Sequence, residues 1–286
     1  MLQKALPAIF RQDIDRSLFE VLLVDDGSTD NTEALAKEFE VFPNFSYFKI
    51  EKSGASKARN EGIKKAKGEI VIFIDSDIIV KSDFIKEHVQ SHEKEDNLII
   101  RGPVIATYDL ENPFIVKPKL TDISNAFFAT GNTSVKTKYL VEAGLFDEEF
   151  SQYGWEDLEL GLRLKKLGLK VVDNPKATGY HYQKKFTLDD FDARETREEN
   201  RAKGAVSFIK KWPIQEVRLM TQDLLIFVIL QKLFFAVQNV MPSAKKVISF
   251  LIRYKKTFWL GVYINFYFNM VYLKYFENER SKKKNR

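Results

Sequence analysis

Residues 68–80 read GEIVIFIDSDIIV: five apolar residues, Ile70 to Ile74, run directly into two carboxylates separated by one serine. A short apolar run without alternation predicts a strand covered on both faces. Two similar runs precede it. EVLLVDD (20–26) is followed by the helical pattern TDNTEALAKEFE, and FSYFKI (45–50) by GASKARNEGIKKAKG; SDFIKEHVQSHEK follows the run that ends at Asp75. Strands alternating with helices predict right-handed crossovers and a parallel sheet, an α/β body whose ligands bind beyond the carboxyl ends of the strands. Two of the predicted strands carry acids there: Asp25 and Asp26, then Asp75 and Asp77.

The chain has 286 residues, 44% of them hydrophobic and 30% charged, enough to bury a substantial core. It has no cysteine, which excludes disulfides and thiolate metal sites. The opening MLQKALPAIFRQ lacks a basic region followed by a long apolar core, so no signal peptide is predicted. Residues 214–286 carry 13 Lys or Arg against 4 Asp or Glu, a net charge of +9 that leaves −4 on residues 1–213. They also hold 14 of the 38 aromatic residues. With the positive charge off the folded body and no reading helix or stacking sheet, nucleic acid is not an expected partner. The pattern divides the chain into a body (1–213) and a helical appendage (214–286). Within the appendage, residues 224–241 and 257–276 are near spanning length but carry Gln231, Lys232, Asn265, Asn269 and Lys274. Recurrent aromatic and basic residues favour an anionic membrane surface, as a hairpin or as helices lying in the interface; an amphipathic cap or dimer interface competes.

Asp75 and Asp77 stand at i and i+2 and share one face if the extended backbone persists. Carboxylate oxygens with substrate phosphate suit Mg²⁺ or Mn²⁺, and a solvated turn is the competing reading. In VDDGSTDNT (24–32), a tight capped turn explains Gly27, Ser28 and Thr29, whereas the doubled acid is suited to accept hydrogen bonds from a base or a ribose. Lys57 and Arg59 fall in the opening turns of a helix, where phosphate binds well, with a solvated basic face as an equal rival for Lys57. YGWEDLELGLRLKKLG (153–168) predicts a helix with Glu156, Asp157 and Glu159 in its first turn, a placement the helix dipole favours on its own. His88 and His92, at i and i+4 on a polar helix without an evident third ligand, are expected to face solvent.

The ordered series VDDGSTD, GASKARNEG, FIDSD, then ATGNTSVKTKYLVEAGLFDEEFSQYGWEDLELGLRLKKLG, resembles family 2 glycosyltransferases, inverting enzymes of the GT-A fold, over about residues 1–185. The last segment resembles the galactosyltransferase-type half of the domain. The resemblance implies a mostly parallel mixed sheet flanked by helices, a nucleotide-sugar donor, UDP-linked above others, and a divalent metal, Mn²⁺ or Mg²⁺. Asp26 then recognises the base with Asp25 beside it, and Arg59 lies near the donor. Asp75 touches ribose or metal, Asp77 is the principal metal ligand, and His181 occupies the place of a histidine ligand, with a hydrogen-bonded core histidine as the competing reading. Gly131 and Asn132 line the donor-sugar pocket or merely form a turn. Asp157 matches the catalytic base and Glu156 an acceptor-binding acid, while Trp155 stacks on a sugar or packs internally. The acceptor is a carbohydrate or lipid-linked hydroxyl at the cytoplasmic membrane face, as in cell-surface polysaccharide or glycolipid synthesis.

Members usually begin with an apolar strand ahead of a helix whose later part matches LQKALPAIFRQ, so one central strand and one wall of the base pocket are unaccounted for. That keeps a non-catalytic, membrane-bound partner protein as an alternative, and a homo-oligomer or partner subunit stays open. A haloacid-dehalogenase-type phosphatase also has Asp-x-Asp after an apolar strand, but leaves VDDGSTD and GWEDLELG unexplained.

Overall fold

The computed structural model describes residues 1–150, 154–238 and 242–284. Tyr153, the end of the 224–241 segment and the last two basic-terminal residues lie outside these. Two compact units form: Met1–Ser151 with Glu156–Lys185, and Gln152–Trp155 with Phe186–Arg286.

The first unit begins with α1 (Leu2–Phe10), β1 (Val21–Asp26), α2 (Thr32–Phe39), β2 (Phe45–Ile50), α3 (Ala55–Lys65) and β3 (Ile70–Ile74). It continues through β4 (Ile78–Val80), α4 (Phe84–His92), β5 (Leu98–Arg101), β6 (Val104–Thr107), β7 (Asn132–Lys136) and α5 (Thr137–Glu142). Then come α6 (Glu156–Lys166), β8 (Lys170–Asp173) and β9 (Gly179–Tyr182). The ladders are β1-β2, β3-β7-β5-β8 and β4-β9-β6.

The expected parallel pairing holds for β1–β2, β5–β8 and β6–β9. β7 instead runs antiparallel to both β3 and β5, and β9 antiparallel to β4. The strict strand–helix alternation ends at β3, because β4 follows after a tight turn, and only crossover connections impose parallel pairing. The core lies between α3, α5, α6 and the β3-β7-β5 ladder, around Ile63, Phe73, Ile99, Val135, Leu140 and Leu160. Phe128 and Phe146 meet Phe73 edge-on at ring distances of 5.6 and 5.7 Å, an arrangement that pairs ring edge with ring face.

β1 and β3 do not pair. Glu20, just before β1, accepts from the backbone N–H groups of Lys67 (2.6 Å) and Gly68 (3.1 Å), so a side chain joins the two strand beginnings where a ladder would otherwise run. The facing edges are unpaired among the described residues, and the apolar residues Val21 to Val24 and Ile70 to Ile72 stay half-exposed while Leu98 to Ile100 of β5 are buried. α1 spans the break, with Leu6 and Phe10 on the β1–β2 side and Ala8 and Ile9 against Ile72 and Ile74.

The second unit contains α7 (Phe191–Lys211), α8 (Gln215–Met220), α9 (Leu225–Gln238), α10 (Ala244–Arg253) and α11 (Thr257–Lys284). α7 falls in the second unit because it packs with α11. Arg201 of α7 lies over the Tyr272 ring of α11 at 4.2 Å, and Phe191 meets Phe268 at 5.1 Å.

Candidate active site

The backbone after β3 does not stay extended. Ile78 N–H donates to the Asp75 carbonyl at 3.1 Å, closing a turn over Asp75, Ser76 and Asp77 that leads straight into β4. The i, i+2 reasoning for a shared face therefore fails, and the turn is what gathers the acids at the strand end. Antiparallel pairing of β4 and β9 sets Ile78 opposite His181, which places the imidazole beside the preceding residue. Asp77 Oδ2 and His181 Nε2 lie 2.9 Å apart. Asp75 is open to solvent but recessed. The surrounding protein raises its carboxyl above the ordinary range, with Arg59 opposing the rise and Asp77 adding to it. Gly131 borders this carboxylate: a Cβ there would stand 3.2 Å from Asp75 Oδ2.

Among the described residues no group of three or more carboxylates and imidazoles converges into a metal cage. An ion that borrows oxygen ligands from a diphosphate and water needs only one or two protein donors. The Asp77–His181 pair, oxygen and nitrogen within 2.9 Å, fits such an ion.

Facing this end is the N-terminus of α6. Arg59, from α3, donates to Glu156 Oε1 at 3.1 Å, lies 3.4 Å from Asp157 Oδ1 and covers the Phe146 ring at 5.5 Å. Asp157 Oδ2 accepts from both the backbone N–H (2.8 Å) and the hydroxyl (2.9 Å) of Thr130. Oδ1 is buried and makes no hydrogen bond. Burial pushes the Asp157 carboxyl above its ordinary range, and Arg59 and then Thr130 hold the rise in check. Sequence reasoning missed Thr130 and Phe146. The signal for Thr130 was its place in ATGN, directly before Gly131 and Asn132, which were read as donor-sugar pocket or turn. The third acid, Glu159, is fully buried and bonds Arg163 one helical turn on, a structural pair.

Asp26 accepts from the backbone N–H groups of Ser53 (2.7 Å) and Gly54 (2.9 Å), tying the end of β1 to the start of α3. It stays half-exposed and keeps acceptor capacity beyond these bonds. Gly27, at φ 73°, makes the sharp turn that follows; a Cβ there would stand 2.9 Å from the Lys52 nitrogen. Three of the candidate residues are buried. Asp25 is buried, with Oδ1 accepting from Ser28 N–H (2.7 Å) and Oδ2 from the Tyr47 hydroxyl (2.6 Å). Burial opposes its ionisation, but these bonds hold the carboxyl below its usual range, and it builds the turn instead of offering a ligand. Trp155 is buried, with its indole N–H donated to the Arg201 carbonyl at 2.7 Å and its ring beside Phe208 and Tyr272, so it packs and does not present a stacking face. Asn132 is buried too.

Asn132 Nδ2 donates to the Pro103 (2.9 Å) and Ala177 (2.8 Å) carbonyls, tying β7 to the segments leading into β6 and β9. Its Oδ1 meets His88 Nε2 at 2.9 Å. An amide oxygen only accepts, so His88 carries its proton on Nε2, and Nδ1 must accept from the Ser134 hydroxyl at 2.9 Å. Ser134 Oγ then accepts from His92 Nε2, also at 2.9 Å, leaving buried His92 Nδ1 without a hydrogen bond. Both rings were expected in solvent; they are buried because they satisfy polar groups under the sheet. Burial depresses both pKa values to about 4. Unfolded histidine titrates near 6.5, so folding favours the neutral rings, and this stability is full above pH ~6.5 and is lost as pH falls toward ~4. Each ring contributes on the order of 3 kcal/mol across that window. Urea unfolding at pH 7.5 and pH 5 is expected to show this loss, and the double variant His88→Gln/His92→Gln to flatten it. A wild-type midpoint that does not move with pH contradicts the assignment.

Comparison with known proteins bears on the fold and the family. Two solved structures share the fold: the S. aureus protein TarS 1–349, in complex with UDP-GlcNAc, at TM-score 0.55 and 20% identity, over 73% of this chain and 62% of that one; and PcManGT, a mannosyltransferase from Pyrobaculum calidifontis in complex with GDP-Man and Mn²⁺, at TM-score 0.63 and 16% identity, over 96% and 82%. The fold of this chain is of the GT-A type. The glycosyl transferase family 2 profile matches residues 1–144, half of the chain, and the chain belongs to that family. Similar proteins include the uncharacterized glycosyltransferase YfnE of Bacillus subtilis, 29% identical over 59% of this chain and 58% of that protein. The hyaluronan synthase of Pasteurella multocida is 28% identical over 58% and 21%. The chain thus spans less than two thirds of the length of either relative.

Proposed function

We propose that the chain transfers a sugar, with inversion and with the help of Mn²⁺ or Mg²⁺, from a nucleotide donor to a hydroxyl of a carbohydrate or lipid-linked acceptor. The donor is a UDP-sugar in preference to others, and the setting is cell-surface polysaccharide or glycolipid synthesis at the cytoplasmic membrane face. What carries the reading is one atom. Asp157 Oδ1 is a buried acceptor without a hydrogen bond; Thr130 holds the carboxylate through its other oxygen, Oδ2, and Oδ1 faces, at 3.4 Å, the same Arg59 whose charge acts on Asp75. Base and leaving-group ends of a displacement thus meet around one guanidinium.

In this reading Asp26 accepts from the base and Asp75 from the ribose, with Gly131 leaving room for the sugar beside Asp75. Arg59 moves from the carboxylates toward the diphosphate as the donor enters. Glu156 binds an acceptor hydroxyl. Asp157 Oδ1 takes the proton of the attacking hydroxyl, whose oxygen bonds the anomeric carbon from the face opposite the phosphate. The carbon–phosphate-oxygen bond breaks, and its electron pair leaves on the nucleoside diphosphate. Asp77 and His181 would hold the metal, which supplies electrostatic stabilisation of that leaving charge when bound. The relatives named as glycosyltransferases and synthases, and the neighbours bound to UDP-GlcNAc or GDP-Man with Mn²⁺, support donor class and metal.

A panel of UDP- and GDP-sugars with carbohydrate and lipid-linked acceptors is the direct test. The expected result is acceptor-dependent release of nucleoside diphosphate that EDTA stops and Mn²⁺ or Mg²⁺ restores, with an inverted anomeric centre by NMR. Retained configuration or indifference to EDTA overturns those parts, and phosphorylation of Asp75 by a phosphomonoester replaces the reading with a phosphatase.

A further inference from the structure

The exposed side of α9 is its apolar side. Leu225, Ile226, Ile229, Leu230, Leu233 and Val237 recur one, three and four residues apart along one stripe, and Leu225 is 74% exposed. Gln231, the polar residue at the helix middle, is turned inward and only 7% exposed, and Gln238 Oε1 accepts from the Tyr263 hydroxyl of α11 at 3.3 Å. A surface helix in water has the opposite arrangement, and apolar patches of this extent mark interaction sites. The stripe continues onto α11. Phe266 meets Phe234 of α9 at a ring distance of 5.3 Å, and Phe266, Val262, Trp259 and Phe258 are all exposed, Trp259 at 61%. Arg253, Lys255 and Lys256, immediately before α11, are exposed as well, while Lys232, at the edge of the stripe, pairs with Glu277 of α11 at 3.4 Å.

We propose that α9 and the first half of α11 form a docking face for an anionic lipid surface, with α9 lying in the plane of the interface. This rests on the membrane placement proposed above and adds the face and the mode. Charge selects the occupant: a two-fold contact between copies would bring like cations together, whereas acidic headgroups pair with Arg253, Lys255 and Lys256 while the stripe enters the acyl boundary. Helix geometry selects the mode. Gln215–Gln238 is long and apolar enough in total to cross a membrane. The chain breaks between α8 and α9, however, with Gln222 at φ 58°. Gln222 and Asn269 exchange two hydrogen bonds of 3.1 Å, and buried Asp223 pairs with Arg280, which fixes the break to α11. The 14 residues of α9 extend about 21 Å, short of the ~30 Å hydrocarbon layer.

The test is flotation of the full chain with phosphatidylcholine vesicles, with and without phosphatidylglycerol, and quenching of Trp259 by lipids brominated near the headgroup or deep in the chain. We expect flotation only with phosphatidylglycerol, and quenching by the shallow bromines that Trp259→Phe removes. Ile229→Ser/Leu230→Ser/Leu233→Ser, all on the exposed stripe, is expected to lower partitioning at least tenfold. Wild-type shallow quenching carries the claim even if that variant misfolds. Flotation of wild type and variant alike, without Trp259 quenching, overturns the docking face and leaves the membrane placement standing. No flotation of the wild type overturns both, and a dimer in lipid-free buffer that the triple variant dissociates assigns the face to a second copy instead.

Discussion

Asp157→Asn is expected to lower kcat by about 10³-fold or more while nucleotide and metal binding change by less than about threefold. The amide oxygen still accepts from Thr130 N–H and hydroxyl, so the loop and α6 keep their positions. What is lost is the one atom able to take a proton, since an amide cannot serve as a base near neutral pH. Turnover assays with the donor found in the panel, beside calorimetric titration of UDP with Mn²⁺, separate the two quantities. Full transfer by the variant would remove Asp157 from the reaction. The pH profile is a second reading of the same carboxylate. Burial raises the Asp157 pKa, and only the ionised form accepts a proton, so activity is expected to fall with one-proton slope as pH drops through a value above the usual carboxylate range. Arg59 lowers that pKa, so Arg59→Gln is expected to move the acid limb further up.

Asp77→Ala is expected to remove the metal-dependent part of UDP affinity, a loss of about 10²-fold or more measured as the difference between titrations with Mn²⁺ and with EDTA. Asp77 is half-exposed, and among the described residues its carboxylate bonds only His181 Nε2, so the substitution leaves β3 and β4 intact. The same carboxylate deletion at Asp25 would act differently, since it strips the Ser28 and Tyr47 bonds and unfolds the turn. An Asp77→Ala protein that still binds UDP more tightly with Mn²⁺ than with EDTA places the ion elsewhere.

The sequence by itself determined the α/β character, the acids at two strand ends and the helix that carries Asp157, because these follow from local periodicity and from residue types that have few other uses at those positions. It also located the family, through an ordered series of short motifs. Which acids are free to act was decided only in three dimensions. Asp25 and Asp26 are neighbours of identical chemistry, yet one is consumed by a buried tyrosine and a turn and the other stays half-open. His88 and His92 have the spacing of a solvent-facing pair, but the polar groups of Asn132 and Ser134 beneath the sheet draw them inside. Trp155 reads equally as sugar platform or core residue until its indole N–H meets the Arg201 carbonyl. The reorientation of α9, apolar side outward, is of the same kind: composition states how much apolar surface a helix has, and only packing against α11 decides which side of it faces out. Local backbone preference is written into neighbouring residues, whereas burial and hydrogen-bond satisfaction depend on partners brought from far along the chain.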